Sequence, residues 1–88
     1  MDTAPAITHL DADKTKIVHR LRRLEGQIRG LQRMVEEEKT CVEVMTQLAS
    51  AKSALDATGD VILETYVAMC LARNDEPKEL VKMLKLAR

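Results

Sequence analysis

The two cysteines are the side chains of this sequence with the clearest chemical potential. Cys41 and Cys70 are 29 residues apart, in a chain whose start has neither the basic nor the apolar region of a signal peptide. We therefore expect a cytoplasmic protein, in which such a pair is more typical of a reactive or metal-binding site than of a structural disulfide. Thr40 and Glu43 fit a capping box, which places Cys41 in the first turn of a helix, where amide dipoles favour a thiolate. Cys70 lies in an apolar run, so the alternative for it is a small core residue.

Three helices are predicted to position these thiols, in an all-α three-helix protomer. Apolar residues at alternating steps of four and three predict a first helix over about residues 13–37, and they are Ile17, Leu21, Leu24, Ile28, Leu31 and Val35. The same steps predict a second helix from Cys41 of roughly 33 residues, with a possible kink at Gly59. The sequence NDEP at 74–77 ends it, and a short third helix fits residues 78–86. Residues 1–12 are predicted to be a flexible arm and residues 13–88 a single domain.

One continuous second helix would keep the two thiols far apart within a chain. At 1.5 Å per residue they are roughly 44 Å apart. They meet only if two copies of the helix pair antiparallel, which sets Cys41 opposite Cys70 of the partner subunit and Met45 near Tyr66. This arrangement gives two identical sites per homodimer. A chain of 88 residues without Trp or Phe also has little material for a core of its own, which favours association.

Equal numbers of acidic and basic residues conceal a basic first helix. Residues 14–33 carry seven basic side chains against one acidic one, Glu25. This pattern is typical of a polyanion partner such as double-stranded DNA, and arginine suits bidentate phosphate contacts. The alternative is a solvated face balanced by neighbouring acids. The predicted DNA-binding residues are Lys16, Arg20, Arg22, Arg23, Arg29, Arg33 and, on the second helix, Lys52.

Several function classes are excluded or disfavoured. The acidic turn at 36–38 argues against a helix-turn-helix, because it would repel phosphate beside a recognition helix. There is no nucleophile–base pair, phosphate loop or carboxylate pair, so we expect no enzyme. The longest strictly apolar run, Val67–Ala72, is too short to cross a membrane. A helical dimerisation scaffold without DNA binding remains an alternative.

The sequence resembles the copper-sensing operon repressor family (CsoR/RcnR-like). The resemblance lies in RLRRLEGQIRGL at residues 20–31 and CVEVMTQLASA at residues 41–51, and it covers about residues 13–88. It implies an antiparallel dimer that assembles into a homotetramer. It also implies a repressor that leaves its operator when an inducer reacts at an inter-subunit site.

The family's site pattern falls on His9, Cys41, Tyr66 and Cys70, with Met45 as a further lining residue. Metal-sensing members generally have histidine where this chain has Tyr66, and a phenol is a poor substitute for imidazole on a soft metal. Two thiols without that histidine resemble the persulfide-sensing (CstR-like) branch, in which persulfide or polysulfide links the thiols and no cofactor is required. The alternative is Cu(I), held by Cys41 and Cys70 with His9 as a possible third ligand.

Overall fold

The structure, a computed structural model, describes the backbone of residues 4–87 and the side chains of residues 13–87. Its elements are α1 (Ala4–Glu36), α2 (Cys41–Ala72) and α3 (Pro77–Ala87), which confirms the all-α three-helix protomer. α2 runs through Gly59 without interruption, and no described helix is long and apolar enough to span a bilayer.

The start of α1 differs from the sequence prediction. The helix begins at Ala4, so the backbone of residues 4–12 is helical and not the unstructured arm that was predicted. Pro5 is tolerated in a first turn because its missing N–H has no intrahelical partner there. Ala6 and Ala12 are strong helix formers. The apolar spacing that predicted the helix was traced only from Ile17, and it therefore missed this extension. The flexibility of residues 1–12 stays a prediction.

A tight turn reverses the chain between α1 and α2. Glu38 adopts a left-handed conformation with φ of 55°. Its N–H donates to the carbonyl of Val35 (3.1 Å), and the N–H of Lys39 donates to the carbonyl of Met34 (3.0 Å). This is the hydrogen-bond pattern of a Schellman motif, which satisfies the last carbonyls of α1 and turns α2 back alongside it.

Both ends of α2 are capped. The Thr40 hydroxyl accepts from the N–H of Glu43 at 3.2 Å, which confirms the predicted cap in front of Cys41. At the other end Asn74 has φ of 62°, and the N–H of Asp75 donates to the carbonyl of Cys70 at 3.0 Å. The caps fix α2 as a helix that begins and ends within a few residues of the two thiols.

A single narrow seam holds α1 against α2. It consists of Ile17 and Leu24 on α1 and Ala51, Thr58 and Thr65 on α2, all buried and spaced seven residues apart along each helix. The protein measures 55 × 28 × 14 Å, and its smallest dimension is close to the thickness of one helix. The protomer is therefore a flat hairpin in which neither long helix is covered on both broad sides.

The predicted apolar positions of α1 do not all face α2. Leu21, Ile28 and Val35, again seven residues apart, are 37%, 50% and 58% exposed. Leu21 lines an open groove of about 920 Å³ together with Leu55 and Tyr66 of α2, and the seven-residue spacing places Ile28 and Val35 on the same side of α1 as Leu21. We call this surface the apolar face, and its members are Leu21, Ile28, Val35, Met45, Leu55 and Tyr66.

The third helix closes one end of this groove. α3 packs on α2 and makes no contact with α1 among the described residues. Met83 and Leu86 line the groove opposite Ile17 and Val18 of α1. α3 thus extends the apolar surface beyond the hairpin.

Candidate functional site

Cys41 occupies the first helical position of α2 as a free and exposed thiol. With Val42 and Met45 it lines a shallow, largely apolar depression of about 470 Å³. The Thr40 cap fixes the backbone at this point, so the thiol projects from the start of α2.

Cys70 lies in the last turns of α2 and is a free, half-buried thiol. Since α2 is uninterrupted between the cysteines, 29 residues of helix separate them by roughly 44 Å. The structure therefore confirms the premise that the two thiols cannot meet within one protomer.

The cysteines share one stripe of α2 that α1 leaves open. The spacing of Met45, Tyr66 and Cys70 from Cys41 places all four side chains on the same side of α2. This side is about a quarter turn around the helix from the buried Ala51 and Thr58. Met45 is 59% exposed and Tyr66 is 40% exposed. The thiols thus lie at the two ends of the part of the apolar face contributed by α2.

Unequal exposure predicts unequal reactivity of the thiols. We expect iodoacetamide to alkylate Cys41 several times faster than Cys70 in the reduced native protein, because only Cys41 is fully accessible. Mass spectrometry of quenched time points gives the two rates, and denatured protein is the control in which they should converge. Faster alkylation of Cys70 in the native protein would contradict the exposures described here.

The third residue of the family pattern is not positioned. The backbone of His9 lies in α1, but its side chain is outside the described residues. Among the side chains that are described, no three of His, Cys, Asp or Glu lie close enough together to hold a metal ion.

Arg22, Arg23, Arg29 and Arg33 lie on the side of α1 away from the apolar face, whereas Lys14 lines the groove of that face. Gly26 and Val35 are nine residues, or about two and a half turns, apart, so they project from opposite sides of the helix. Arg22, Arg29 and Arg33 lie on the same side as Gly26, at helical spacings of four, three and seven from it. We call this surface the basic face, and its members are Arg22, Arg23, Gly26, Arg29 and Arg33.

Among residues 13–87, no acidic side chain forms an ion pair with the basic face. All seven basic residues between 14 and 33 are exposed. The ion pairs of the described part are Lys39 with Glu37 (3.8 Å) and Arg73 with Asp75 (3.5 Å), and none involves α1. The guanidinium groups are therefore available to an external polyanion.

Lys52 lies on a different surface from the other predicted DNA-binding residues. It is exposed, but its spacing from Cys41 and Met45 places it on the cysteine stripe of α2. A contact between Lys52 and DNA stays a prediction.

One contact between the helices was not anticipated from the sequence. The side-chain amide of Gln47 donates to the backbone carbonyl of Gln27 at 3.0 Å. Gly30 lies beside this contact, since an added Cβ there would be 3.4 Å from Gln47 Nε2, at the limit of ordinary van der Waals contact. The contact ties the thiol-bearing start of α2 to the basic helix. The sequence signal available for this contact was Gln47, six residues after Cys41, together with Gly30 inside the facing helix.

Comparison with known proteins identifies the family. Residues 13–87 match the family described as metal-sensitive transcriptional repressors. The chain belongs to this family. Among its relatives, the copper-sensing transcriptional repressor RicR of Mycobacterium tuberculosis is 42% identical over 60 residues, which are 68% of this chain and 62% of RicR. The copper-sensing transcriptional repressor CsoR of Bacillus subtilis is 37% identical over 60 residues, 68% of this chain and 59% of that protein.

The match to the metal-sensitive repressors confirms the resemblance seen in residues 20–31 and 41–51. The family consists of transcriptional repressors, in agreement with the prediction of a protein without enzymatic activity. The chain spans about three fifths of the length of RicR and of CsoR from B. subtilis.

Proposed function

We propose that this protein is a cytoplasmic, DNA-binding transcriptional repressor that thiol chemistry at an inter-subunit Cys41/Cys70 site releases from its operator. One observation carries the proposal. Two free thiols lie at opposite ends of one uninterrupted helix, on a face that the protomer leaves exposed. A site that uses both thiols needs a second copy of the chain.

The apolar face supports a homodimer as the working unit. Two protomers that bury this face against each other, with antiparallel α2 helices, form a four-helix arrangement in which Leu21, Ile28 and Val35 gain partners. The same pairing brings Cys41 beside Cys70 of the partner subunit. It leaves both basic faces on the outside, where double-stranded operator DNA binds them. Two dimers then form the homotetramer that the family resemblance implies.

The proposed inducer is a persulfide or polysulfide. The exposed thiolate of Cys41 attacks the terminal sulfur of a persulfide R–S–SH, forming Cys41–S–SH and releasing the thiolate R–S⁻. The thiolate of Cys70 from the partner subunit then attacks the Cys41 sulfur, forming a disulfide and releasing hydrosulfide. Transfer of a further sulfur to Cys41 before this attack gives a polysulfide bridge, which relaxes the Cα separation of about 7 Å that a disulfide allows.

Bridging is proposed to act on DNA through the helix pair. A covalent link between the start of one α2 and the end of the other shifts the two hairpins relative to each other. Because α1 is packed on α2 along the Ile17 and Leu24 seam, the basic faces move with it. They then no longer match the spacing of the phosphates.

Cu(I) is the second candidate inducer, and two observations favour it. RicR and CsoR are described as copper-sensing. Cys41 also lies close in sequence to Glu37, Glu38 and Glu43, acidic residues that attract a cation and repel an anionic polysulfide. Two thiolates, with His9 as a possible third ligand, suit Cu(I).

The experiment is operator release measured by fluorescence anisotropy. Reduced protein is expected to bind a family-type operator duplex with an affinity that falls steeply as salt rises, because several phosphates are neutralised. Cysteine persulfide and buffered Cu(I) are then added in separate arms. Release by persulfide with a mass shift at the thiols supports the first inducer, and release by stoichiometric Cu(I) alone supports the second. Absence of binding even at low salt would instead favour the dimerisation scaffold.

A further inference from the structure

Gly26 is a glycine in the middle of α1 that the protomer does not explain. A helix-interior glycine is less favourable than alanine. Gly30, one turn later, faces α2, since an added Cβ there would contact Gln47 Nε2 at 3.4 Å. At Gly26 an added Cβ meets no atom within 4 Å, and the residue is exposed. Gly30 therefore lies at the contact with α2, whereas Gly26 faces open space.

The surroundings of Gly26 indicate what approaches it. Arg22 and Arg29 lie one turn before and one turn after it, and Arg23 and Arg33 border the same surface. None of these guanidinium groups is engaged in an ion pair with a described residue. The result is a strip of bare helix backbone between unpaired cations, on the side of α1 opposite the apolar face.

We propose that Gly26 is a positioning residue for DNA, whose missing side chain lets the phosphate backbone of a duplex lie directly against α1. When the DNA strand lies directly against Gly26, Arg22 and Arg29 reach the phosphates on either side of that point. A methyl group at position 26 would hold the strand away from α1 and lengthen both contacts. The inference rests on the proposed repressor function and adds to it a steric requirement of the basic face.

A nucleic acid is a better occupant than a second copy of the chain. Burial of the apolar face leaves Gly26 on the outside, so dimerisation in that arrangement does not cover it. A second basic face placed here would bring like charges together without neutralisation. Phosphates neutralise the arginines and, unlike a packed helix, need no apolar surface.

The test compares stability with DNA binding in Gly26→Ala and Gly26→Gln. Because alanine is the better helix former, Gly26→Ala should raise the melting temperature by about 4 °C or more. The same substitution should weaken binding of a fluorescein-labelled mixed-sequence duplex at low salt by about tenfold and flatten the salt dependence as phosphate contacts are lost. Gly26→Gln should bind more weakly still. A gain in stability with a loss of binding is not expected from a merely structural glycine.

Asn74→Gly is the matched control. It relieves the positive φ at the end of α2 without changing charge, so it raises stability far from α1 and should leave DNA affinity unchanged. Wild-type affinity in both Gly26 variants would overturn the inference and leave the repressor function intact, whereas a wild-type protein that does not bind the duplex would remove the function itself. A change of oligomeric state in Gly26→Ala, measured by light scattering, would assign Gly26 to a contact between copies and would also overturn the inference.

Discussion

Cys41→Ala and Cys70→Ala are each expected to abolish the covalent dimer that persulfide treatment produces, and an equal mixture of the two variants is expected to restore it. The reason is geometric, since the thiols of one chain are roughly 44 Å apart along α2 and each must react with the partner subunit. A heterodimer of the two variants retains one complete site, with Cys41 from one chain and Cys70 from the other. Random exchange should make about half of the dimers heterodimeric and therefore cross-linkable.

Non-reducing electrophoresis and peptide mass spectrometry measure this result. Both single variants should bind operator DNA with wild-type affinity while no longer being released by persulfide, because neither thiol belongs to the basic face. Cross-linking of Cys41→Ala alone would show that two Cys70 thiols meet, which the antiparallel register forbids. No rescue in the mixture, with subunit exchange confirmed by mass, would remove the inter-subunit site.

The ends of the helices were largely predictable from the sequence, because caps are local. Thr40 and Glu43 predicted the start of α2, and the structure contains the hydrogen bond from the N–H of Glu43 to the Thr40 hydroxyl. The start of α1 was missed by nine residues, because the apolar spacing that predicted the helix was traced only from Ile17. Asn74, before Asp75, closes α2 near the predicted end.

The division of the apolar residues between two surfaces required the structure. Steps of four and three identify a helix, but they do not say how wide an arc its neighbour covers. α2 covers Ile17 and Leu24 and leaves Leu21 and Ile28 exposed, because one helix in a flat hairpin contacts only a narrow strip of the other. This division separates the buried seam from the apolar face.

The candidate site was predictable to the extent that it depends on one helix. The rise per residue already separates Cys41 from Cys70, and the structure adds that both lie on an open stripe. The choice between persulfide and Cu(I) depends on the distance between the Cys41 thiol of one chain and the Cys70 thiol of the other. The register of the dimer fixes this distance. The local pattern of a single sequence does not determine that distance.

The double charge reversal Arg22→Glu/Arg29→Glu is expected to reduce duplex affinity by about a hundredfold or more at moderate salt. Both side chains are exposed and form no ion pair with a side chain that the structure describes, so the loss falls on contacts with DNA and not on the fold. Since phosphate contacts carry no base information, specific and mixed-sequence duplexes should lose affinity together. The slope of log affinity against log salt should fall by about two, one for each lost phosphate contact.

Lys78→Glu/Lys85→Glu makes the same change of charge on α3 and separates position from net charge. Both lysines are exposed, and α3 makes no contact with α1 among the described residues. If the arrangement of charge on the basic face determines binding, this control should lose far less affinity than the α1 variant, and its salt slope should stay near that of the wild type. Equal losses of DNA affinity in the two variants would mean that binding depends only on the net charge of the protein. That result would contradict a defined interface on α1, because a fixed row of arginines acts through the phosphates it reaches.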